Sequence, residues 1–244
     1  MRIILAPAKK MIENNDDFVS RNQPVFLSKS EALLKEMKTM SFEDLKKMWN
    51  CSDKIAKENQ IRLQIMDLKR NISPALFSYV GLAYQYMAPD IFTEDALEYV
   101  EKHLRILSGF YGVLRPFDGI VPYRLEMQQA LPKIGNLYDY WKDSLYKEVV
   151  DEDHIIVNLA SKEYSKCIED YLSVKDHFIT IIFGESKNNK VIQKGTMAKM
   201  ARGEMVRWMA ENNIIDVERI KAFNIHYHYD ENLSTEKEYV FIKD

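Results

Sequence analysis

Basic side chains are concentrated in three segments of the sequence, at residues 1–10, 102–124 and 194–207. Together these segments hold eleven Lys and Arg and two acidic residues, whereas the rest of the chain holds 23 Lys and Arg and 35 acidic residues. Ammonium and guanidinium groups bind phosphate oxygens, so a fold that joins the segments would create a basic groove for an anion. The alternative is that these cations are scattered over a solvated surface.

The segment LSGFYGVLRPFDGIVPYRLEM, residues 107–127, combines cations with rigid turns. It contains three of the eight glycines, two prolines, four aromatic residues and two arginines, Arg115 and Arg124. Glycine and proline fix sharp turns, and the aromatic side chains are expected to pack those turns against the core. We therefore predict that this segment forms the floor of a binding cleft.

The segment LASKEYSK, residues 159–166, follows a predicted strand directly and begins a predicted helix. Ser161 is placed to cap the helix, the free backbone N–H groups of the first turn can face an anion, and Lys162 adds a positive charge. A well-capped helix without a ligand is the alternative interpretation.

The predicted helix at residues 196–213 has a basic face opposite its apolar face. Lys199 and Arg202 lie across the helix from the apolar positions, which are Met197, Ala201, Met205 and Trp208. Gly203 costs about 1 kcal/mol relative to alanine in mid-helix, which indicates a close approach at that point. The basic face either meets a phosphate or simply meets water.

Other kinds of chemistry find little support in the sequence. GxSxG, GxxxxGK[ST], HExxH and GxGxxG motifs are absent. His226 and His228 would share one face of a presumed strand as a possible metal pair, but a polar strand face is favoured. Cys51 and Cys167 are far apart, without CxxC spacing, so neither a disulfide framework nor a zinc site is indicated. We predict no cofactor and no metal.

Composition indicates a globular protein rather than a nucleic-acid coat or a membrane protein. The 244 residues include 46% hydrophobic residues, and the formal net charge is −3, which argues against binding through bulk positive charge. The sequence has no 18-residue apolar run. The apolar stretch before Lys9 and Lys10 is too short to be the apolar core of a signal peptide. We expect a cytoplasmic monomer that does not contact a membrane.

Apolar periodicity predicts alternating strands and helices along the chain. Predicted strands lie at residues 2–6, 75–80, 154–160, 177–184, 222–230 and 237–243. Predicted helices lie at residues 28–70 in two or three segments, after Val80, from Thr93 to about Leu107, and at 138–150, 161–172 and 196–213. Residues 11–27 are predicted to form a loop. We expect one α/β (mixed α+β) domain over residues 1–244, with helices flanking a mixed sheet.

These segments together resemble the YaaA family of peroxide-stress proteins. The resemblance is colinear from end to end and rests on the motifs APAKKM, HLRILSGFYGVLRPFDGIVPYRLEM, YDYWKD, VNLASKEYSK, KMARGEMVRWM and the AFN…YVF ending. It implies a YaaA-type fold with a basic cleft and a helix-hairpin-helix-like element, and non-specific binding to duplex or branched DNA. It also implies a role in limiting damage driven by peroxide and iron.

The resemblance also implies which residues contact DNA. The implied set contains Lys9, Arg105, Arg115, Arg124, Asn158, Ser161, Tyr164, Lys199 and Arg202. The backbone of the turns at Gly109 and Gly112 and the charge of Lys162 at the helix start complete the twelve residues predicted to contact DNA. A helix-hairpin-helix usually has glycines two positions apart, whereas Gly109 and Gly112 are three apart, so residues 107–127 are either the hairpin or a neighbouring loop.

Two other functions remain as alternatives at this point. An enzyme acting on a nucleotide or nucleic acid in the same cleft would explain uncharged polar residues in the motifs, namely Asn158, Ser161, Tyr123 and Tyr164. Direct iron sequestration would suit a peroxide-stress role, but five dispersed histidines and two isolated cysteines argue against it. No catalytic motif is present, so DNA binding is the favoured prediction.

Overall fold

A computed structural model describes residues 1–14, 18–187 and 190–244 of the chain. In chain order, the strands are β1 (Arg2–Leu5), β2 (Lys10–Met11), β3 (Ser73–Pro74), β4 (Tyr79–Val80), β5 (Leu104–Ser108), β6 (Gly112–Leu114), β7 (Gly119–Ile120), β8 (Ala130–Leu131), β9 (Gly135–Asn136), β10 (Ile155–Asn158), β11 (His177–Lys187), β12 (Lys190–Ile192), β13 (Tyr227–Tyr229) and β14 (Glu238–Lys243).

The helices alternate with these strands. They are α1 (Leu27–Met37), α2 (Phe42–Trp49), α3 (Asp53–Ile65), α4 (Ala75–Ser78), α5 (Leu82–Met87), α6 (Glu94–His103), α7 (Leu137–Trp141), α8 (Ser144–Val149), α9 (Lys162–Glu169) and α10 (Gly195–Glu211), with 3₁₀ turns at Pro89–Ile91 and Val217–Ala222.

A mixed sheet forms the centre of the fold, which confirms the predicted α/β class. Its strand order is β13-β14-β11-β10-β1-β5-β6, and β12 pairs with β11. Neighbouring strands from β14 to β5 pair in parallel, whereas β13 and β6 pair antiparallel at the edges. Ile4 in β1 lies between Asn158 of β10 and Arg105 of β5, so three distant parts of the chain meet at the middle of the sheet.

The two central parallel strands, β1 and β10, are mostly apolar because both faces of the sheet are covered there. Ile3, Ile4 and Leu5 of β1 and Ile156 and Val157 of β10 are almost completely buried. These residues confirm the predicted strands near residues 2–6 and 154–160.

Capping residues mark the starts of helices α2 and α6, which precede strand β5 in the chain. Ser41 accepts a hydrogen bond from the Asp44 amide at 3.1 Å, and Thr93 accepts one from the Ala96 amide at 3.3 Å. Helices α1, α2 and α3 confirm the helical prediction for residues 28–70. The predicted loop at 11–27 contains the end of β2 and the start of α1, and its residues 15–17 lie outside the described ranges.

Three predicted boundaries are wrong for tertiary reasons. The helix from Thr93 ends at His103, and residues 104–107 are strand β5, because Leu104 and its neighbours pair with β1 on one side and β6 on the other. The segment 75–80 begins with helix α4 and has strand conformation only at β4. The helix at 138–150 is divided into α7 and α8 at Lys142, whose φ is 48°.

Residues 107–127 are built from strands and turns. All of them are described, and no helix lies between residues 104 and 136, so this stretch is not a hairpin between two helices. Phe110, Tyr111 and Phe117 are buried, as the sequence predicted, and Gly112 has a φ of 77° at the turn between β5 and β6. These turns therefore place aromatic side chains in the hydrophobic core.

Helix α10 packs closely on α5, and Gly203 makes this approach possible. A Cβ atom at position 203 would overlap the Ala83 carbonyl oxygen and lie 2.9 Å from the Met87 amide nitrogen. The predicted close approach at Gly203 is confirmed, and its partner is the backbone of α5.

Candidate functional site

A cavity of about 440 Å³ opens at the carboxyl ends of β1 and β10. Its walls come from residues 5–10, 80–84 and 123–126, from α9 and the turn before it, and from Lys199 and Arg202 of α10. Within the sheet, β5 is the neighbour of β1 on one side and β10 is its neighbour on the other side, so the chain connects from β1 in opposite directions. Such a switch in direction leaves a crevice beyond the strand ends, and this is the usual ligand position in α/β sheets.

Each of the three basic segments contributes side chains to this cavity. Lys9 and Lys10 come from the first segment, Arg124 from the second, and Lys199 and Arg202 from the third. The three lysines are exposed, whereas the two arginines are half-buried. Two acidic residues, Glu126 and Glu163, also line the cavity. Cations therefore outnumber carboxylates around it by five to two.

Arg202 is a half-buried cation whose charge no described protein group compensates. Its Nε is buried without a hydrogen bond, and within the described part of the chain its guanidinium forms no ion pair. Burial lowers the pKa of Arg202. By contrast, Arg207 on the same helix lies 2.7 Å from Glu211. An uncompensated, desolvated guanidinium is costly, and an anion in the cavity would relieve that cost.

Lys9 and Arg124 share a carboxylate that belongs to the protein itself. Lys9 Nζ lies 2.8 Å from Glu126 Oε2, and Arg124 Nη2 lies 3.7 Å from Glu126 Oε1. Arg124 is held in place because its carbonyl accepts a 2.7 Å hydrogen bond from Trp49 Nε1. Glu126 is 8% exposed, and its Oε1 makes no hydrogen bond with the residues described. The cluster thus carries one net positive charge.

Three buried tyrosines, Tyr84, Tyr123 and Tyr164, form part of the cavity wall. The Tyr123 hydroxyl lies 2.6 Å from Ser108 Oγ and 2.9 Å from the Tyr79 hydroxyl, and the Tyr84 hydroxyl donates to the Ala6 carbonyl at 3.0 Å. Burial raises the pKa of Tyr123 to about 12, so its hydroxyl stays protonated at neutral pH. These bonds fix the rings in place.

The start of α9 brings polar groups to the same cavity. Ser161 occupies the predicted N-cap position with extended backbone, but its side chain forms no capping hydrogen bond. Its carbonyl accepts from the Tyr164 and Ser165 amides at 2.9 Å. Glu163 Oε1 accepts from the Gln128 amide at 3.4 Å, and burial raises the pKa of Glu163.

Six of the twelve residues predicted to contact DNA line this cavity. They are Lys9, Arg124, Ser161, Tyr164, Lys199 and Arg202. The other six, Arg105, Gly109, Gly112, Arg115, Asn158 and Lys162, do not line it.

Arg105 and Arg115 are both engaged inside the protein. Arg105 is 7% exposed and its Nη1 donates to the Leu104 carbonyl at 2.7 Å, and burial lowers the pKa of Arg105 to about 10. Arg115 Nε lies 3.0 Å from Oδ1 of Asp118, which is fully buried. Removing Arg115 would leave that carboxylate without its cation, so its first role is structural.

Gly109 and Asn158 make packing or hydrogen-bond contacts inside the protein, whereas Lys162 is exposed. A Cβ at Gly109 would lie 2.6 Å from the Leu125 carbonyl oxygen, so this glycine lets the cavity segment 123–126 pack on the turn. Asn158 is buried at the end of β10, where Oδ1 accepts from the Ala160 amide at 2.9 Å and Nδ2 donates to Thr180 at 3.2 Å. Lys162 is exposed on α9.

Sequence reasoning missed several residues of the cavity. Glu126 and Glu163 line the cavity and lie inside the motifs RLEM and SKEYSK, but an isolated carboxylate beside cations carries no specific signal in the sequence. The segment 80–84 had no functional signal in the sequence, and its link to residues 5–10 is a tertiary contact, since a Cβ at Gly81 would lie 2.8 Å from that of Ala8. Contacts of this kind join positions too far apart in sequence to form a motif.

The metal pair of His226 and His228, a possibility that the sequence did not favour, is not formed on one strand face. His226 lies outside β13 with a φ of 58°, and His228 Nδ1 lies 2.7 Å from Asp244 Oδ1. Among the residues that the structure describes, no three His, Cys, Asp or Glu side chains are grouped as metal ligands.

Comparison with known proteins identifies the family of this chain. A family model described as peroxide stress protein YaaA matches residues 1–233. The chain belongs to the YaaA family. A relative from Agathobacter rectalis, named only as a UPF0246 protein, is 55% identical over 99% of this chain and 98% of its own length. UPF0246 proteins from Desulfitobacterium hafniense and Lachnoclostridium phytofermentans are 51% and 49% identical over all of this chain.

Membership of the YaaA family agrees with the colinear motifs. In the described ranges, none of the helices has the length and apolar character needed to cross a bilayer.

Proposed function

We propose that this chain binds DNA, duplex or branched and without sequence preference, through phosphate contacts at the mouth of the cavity. The observation that carries the proposal is Arg202, a half-buried guanidinium without an ion pair in the described structure, next to a rim of exposed lysines. Phosphate is the anion that arginine and lysine recognise most commonly in nucleic-acid complexes. In the cell, binding limits DNA damage during peroxide stress, in keeping with the family's description.

The shape of the cavity restricts how DNA can bind. A volume of about 440 Å³ suits a small molecule and cannot contain a double helix. A duplex therefore lies across the mouth, with its phosphates on Lys9, Lys10 and Lys199 and with one phosphate within reach of Arg202. Arg115 and Arg105 are not part of this contact surface, because neither lines the cavity and their guanidinium groups are held by protein carbonyl and carboxylate oxygens.

The salt dependence of binding tests this proposal. Each cation that contacts a phosphate contributes to counterion release, so the log–log slope of affinity against salt should fall by about one unit for Lys199→Ala and again for Arg202→Ala. Fluorescence anisotropy with a labelled duplex and with a four-way junction measures both affinity and slope. Lys57→Ala is the matched control, since it removes one exposed cation from α3, away from the cavity.

The proposal fails if Lys199→Ala and Arg202→Ala, both folded by circular dichroism, bind DNA with the affinity and salt slope of the unaltered chain. The cellular role is tested separately. A strain lacking the gene should survive hydrogen peroxide better when supplied with the unaltered chain than with the Lys199→Ala/Arg202→Ala variant at equal abundance.

An enzyme acting on a nucleotide or nucleic acid is the second candidate function. Glu163 favours it, because a carboxyl group with a raised pKa in a cavity can act as a general acid, and it lies two residues from Ser161 on the same wall. Incubation with junction, abasic and oxidised DNA tests for cleavage or base release. Turnover that Glu163→Gln abolishes without weakening DNA binding would support the enzyme over the binding protein.

A further inference from the structure

We infer that the cavity binds one nucleotide unit, with its phosphate on Arg202 and its base against the tyrosine-lined wall. The inference rests on the proposed function, since it places one unit of the proposed polymer inside the cavity while the rest of the polymer stays outside. The proposed function concerns phosphate contacts at the mouth of the cavity, and the inference specifies the size and chemistry of a ligand inside it.

The size of the cavity is the first argument. A volume of about 440 Å³ lies within the range of small-molecule sites, and phosphate contacts alone need no such depth. Proteins that bind only the DNA backbone do so with exposed side chains on an open surface. Here the wall continues inward beyond the exposed lysines to fully buried residues, Leu5 and Leu159 among them.

The anionic end of the ligand is set by Arg202. Its Nε is buried and unpaired, and its two Nη groups make no hydrogen bond with any described residue. Of the three guanidinium nitrogens of Arg202, Nε alone is both buried and unpaired. The two Nη groups are unpaired but not buried, so they have surface that a ligand can reach. Arg202 lines this cavity, one helical turn from Lys199. A phosphate group bound here would receive hydrogen bonds from a guanidinium that otherwise has none.

The aromatic part of the ligand is indicated by three tyrosines. Tyr84, Tyr123 and Tyr164 are buried and line the cavity, and the hydroxyls of the first two are hydrogen-bonded to protein groups. Rings fixed in this way present a preorganised, mostly apolar surface to a flat ligand. Enzymes and binding proteins that accept an unstacked base commonly hold it against aromatic and apolar side chains in this manner.

The edge of the base is matched by two carboxylates. Glu126 and Glu163 both line the cavity, and the described protein donors, Lys9 for Glu126 and the Gln128 amide for Glu163, leave acceptor positions free on each carboxylate. Every natural base carries at least one N–H group, and carboxylates accept hydrogen bonds from such groups. A purely apolar ligand would leave these acceptors unused, and a second phosphate would be repelled by them.

A nucleotide unit can reach this cavity from two sources. It is either a free nucleotide or an unpaired nucleotide that leaves the stack of a bound nucleic acid, and the second is least costly at a mismatch or bulge. The recognition chemistry is the same in both cases, so the experiment contains an arm for each source.

The test uses a variant that fills the cavity and spares its cations. Leu82 lines the cavity, is half-exposed and is not packed into the core cluster, so Leu82→Trp reduces the cavity volume with little effect on folding. Leu82→Met, which conserves volume, is the matched control. Circular dichroism and the unfolding midpoint verify that both variants fold. Arg202→Met removes the phosphate contact and provides a second, independent variant.

In the polymer arm, a duplex with one unpaired nucleotide is compared with a perfect duplex of the same charge. We expect the unpaired nucleotide to tighten binding by about tenfold, and Leu82→Trp to remove this preference while perfect-duplex affinity and salt slope persist. In the free-ligand arm, millimolar deoxynucleoside monophosphates should raise the unfolding midpoint of the unaltered chain and of Leu82→Met. They should not raise that of Leu82→Trp or Arg202→Met, and inorganic phosphate should have a smaller effect on the unaltered chain.

The two hypotheses fail in different ways. Perfect-duplex binding with the predicted salt slope, no preference for the unpaired nucleotide and no shift by mononucleotides would overturn the inference and leave the proposed function intact. Mononucleotide binding that Leu82→Trp blocks, without any DNA binding, would support the inference and overturn the proposed function. A preference or shift that Leu82→Trp leaves unchanged would also overturn the inference, because the nucleotide would then bind elsewhere.

Discussion

At the scale of single residues, the cations of this protein differ in whether a protein group already compensates their charge. Arg115 is paired with buried Asp118, and Lys9 shares Glu126 with Arg124. Arg202 has no such partner in the described residues, although it is half-buried. Uncompensated charge at this position reduces stability in the absence of ligand, so its presence is best explained by a function.

The first prediction is that Arg202→Met makes the unliganded protein more stable. Methionine keeps an unbranched apolar stem but removes the buried, unpaired Nε, so the free energy of unfolding in urea should rise by about 1–2 kcal/mol. The same variant should bind DNA more weakly. Arg207→Met is the control, because Arg207 is paired with Glu211 on the exposed face of the same helix and should change stability by less than about 0.5 kcal/mol. A loss of stability in Arg202→Met would contradict the prediction.

The second prediction concerns Asp176 and acid stability. Burial alone would raise the pKa of Asp176, but hydrogen bonds from His154, the Ser173 amide and Tyr146 outweigh burial and lower this pKa to about 2. The carboxylate is therefore favoured in the folded state. Its contribution to stability is complete above the unfolded pKa of about 3.9 and is lost as pH falls toward 2.

Asp176→Asn should accordingly lower the free energy of unfolding by about 1–2 kcal/mol near neutral pH, and the variant and the unaltered chain should converge as pH approaches 2. Urea titrations across this pH range measure the difference. Asp90→Asn is the control, since Asp90 is exposed at a 3₁₀ turn. A difference between Asp176→Asn and the unaltered chain that stays constant with pH would show that the lost hydrogen-bond geometry, and not the carboxylate charge, is responsible.

At the scale of elements, the contact between α5 and α10 connects the core to the cavity. Helix α5 contributes Leu82, Ala83 and Tyr84 to the cavity wall, and α10 contributes Lys199 and Arg202. Gly203 lets the two backbones approach, because a side chain there would overlap the Ala83 carbonyl oxygen. The distance between the tyrosine wall and the cationic wall is therefore set by one glycine.

The third prediction is that Gly203→Ala destabilises the protein by about 1–3 kcal/mol, although alanine is the better helix former. The helices must separate because the obstructing atoms belong to the backbone. DNA affinity should also fall, since Arg202 moves with α10. Gly195→Ala is a matched control in the same helix, because a Cβ there meets no atom within 4 Å, and it should cause no loss of stability. Chemical denaturation and anisotropy measure both effects, and equal stability of the two variants would contradict the role of the contact.

At the scale of the whole molecule, the sheet separates the cavity from three exposed acidic residues, Glu152, Glu231 and Glu236. Glu152 precedes β10 and Glu236 precedes β14, so both lie at the amino edge of the parallel strands, and Glu231 follows antiparallel β13 at the same edge. A four-residue strand spans about 13 Å, which exceeds the screening length of about 8 Å at physiological salt. A net acidic protein can therefore present a locally cationic surface.

The fourth prediction follows from this separation. Replacing Glu152, Glu231 and Glu236 by glutamine raises the formal net charge from −3 to zero, yet DNA affinity at physiological salt should change by less than about twofold. Lys199→Ala/Arg202→Ala makes the net charge more negative by two and should weaken binding by more than about tenfold. Anisotropy titrations compare the two variants. An increase in affinity in the triple glutamine variant as large as that loss would show that bulk charge controls binding.

The sequence by itself determined the α/β class, the mixed sheet, most helices and the family, because apolar periodicity, capping residues and motifs are local signals. It also located the three basic segments and the close approach at Gly203. It could not show which cations are compensated, since Asp118 and Glu126 are recognised as partners only from interatomic distances. It misassigned residues 104–107 to a helix, because pairing with β1 and β6 overrides local periodicity.

The tertiary structure alone decided the composition of the cavity. Parallel pairing of β1 with β5 and β10 brings together strand ends that are about a hundred residues or more apart in sequence, and the α5 backbone reaches α10 at Gly203. Half of the predicted contact residues line that cavity, whereas others, such as Arg105 and Gly109, make contacts inside the protein. The physical reason is that charge and shape in a cleft depend on packing between distant segments, whereas sequence patterns record only neighbours along the chain.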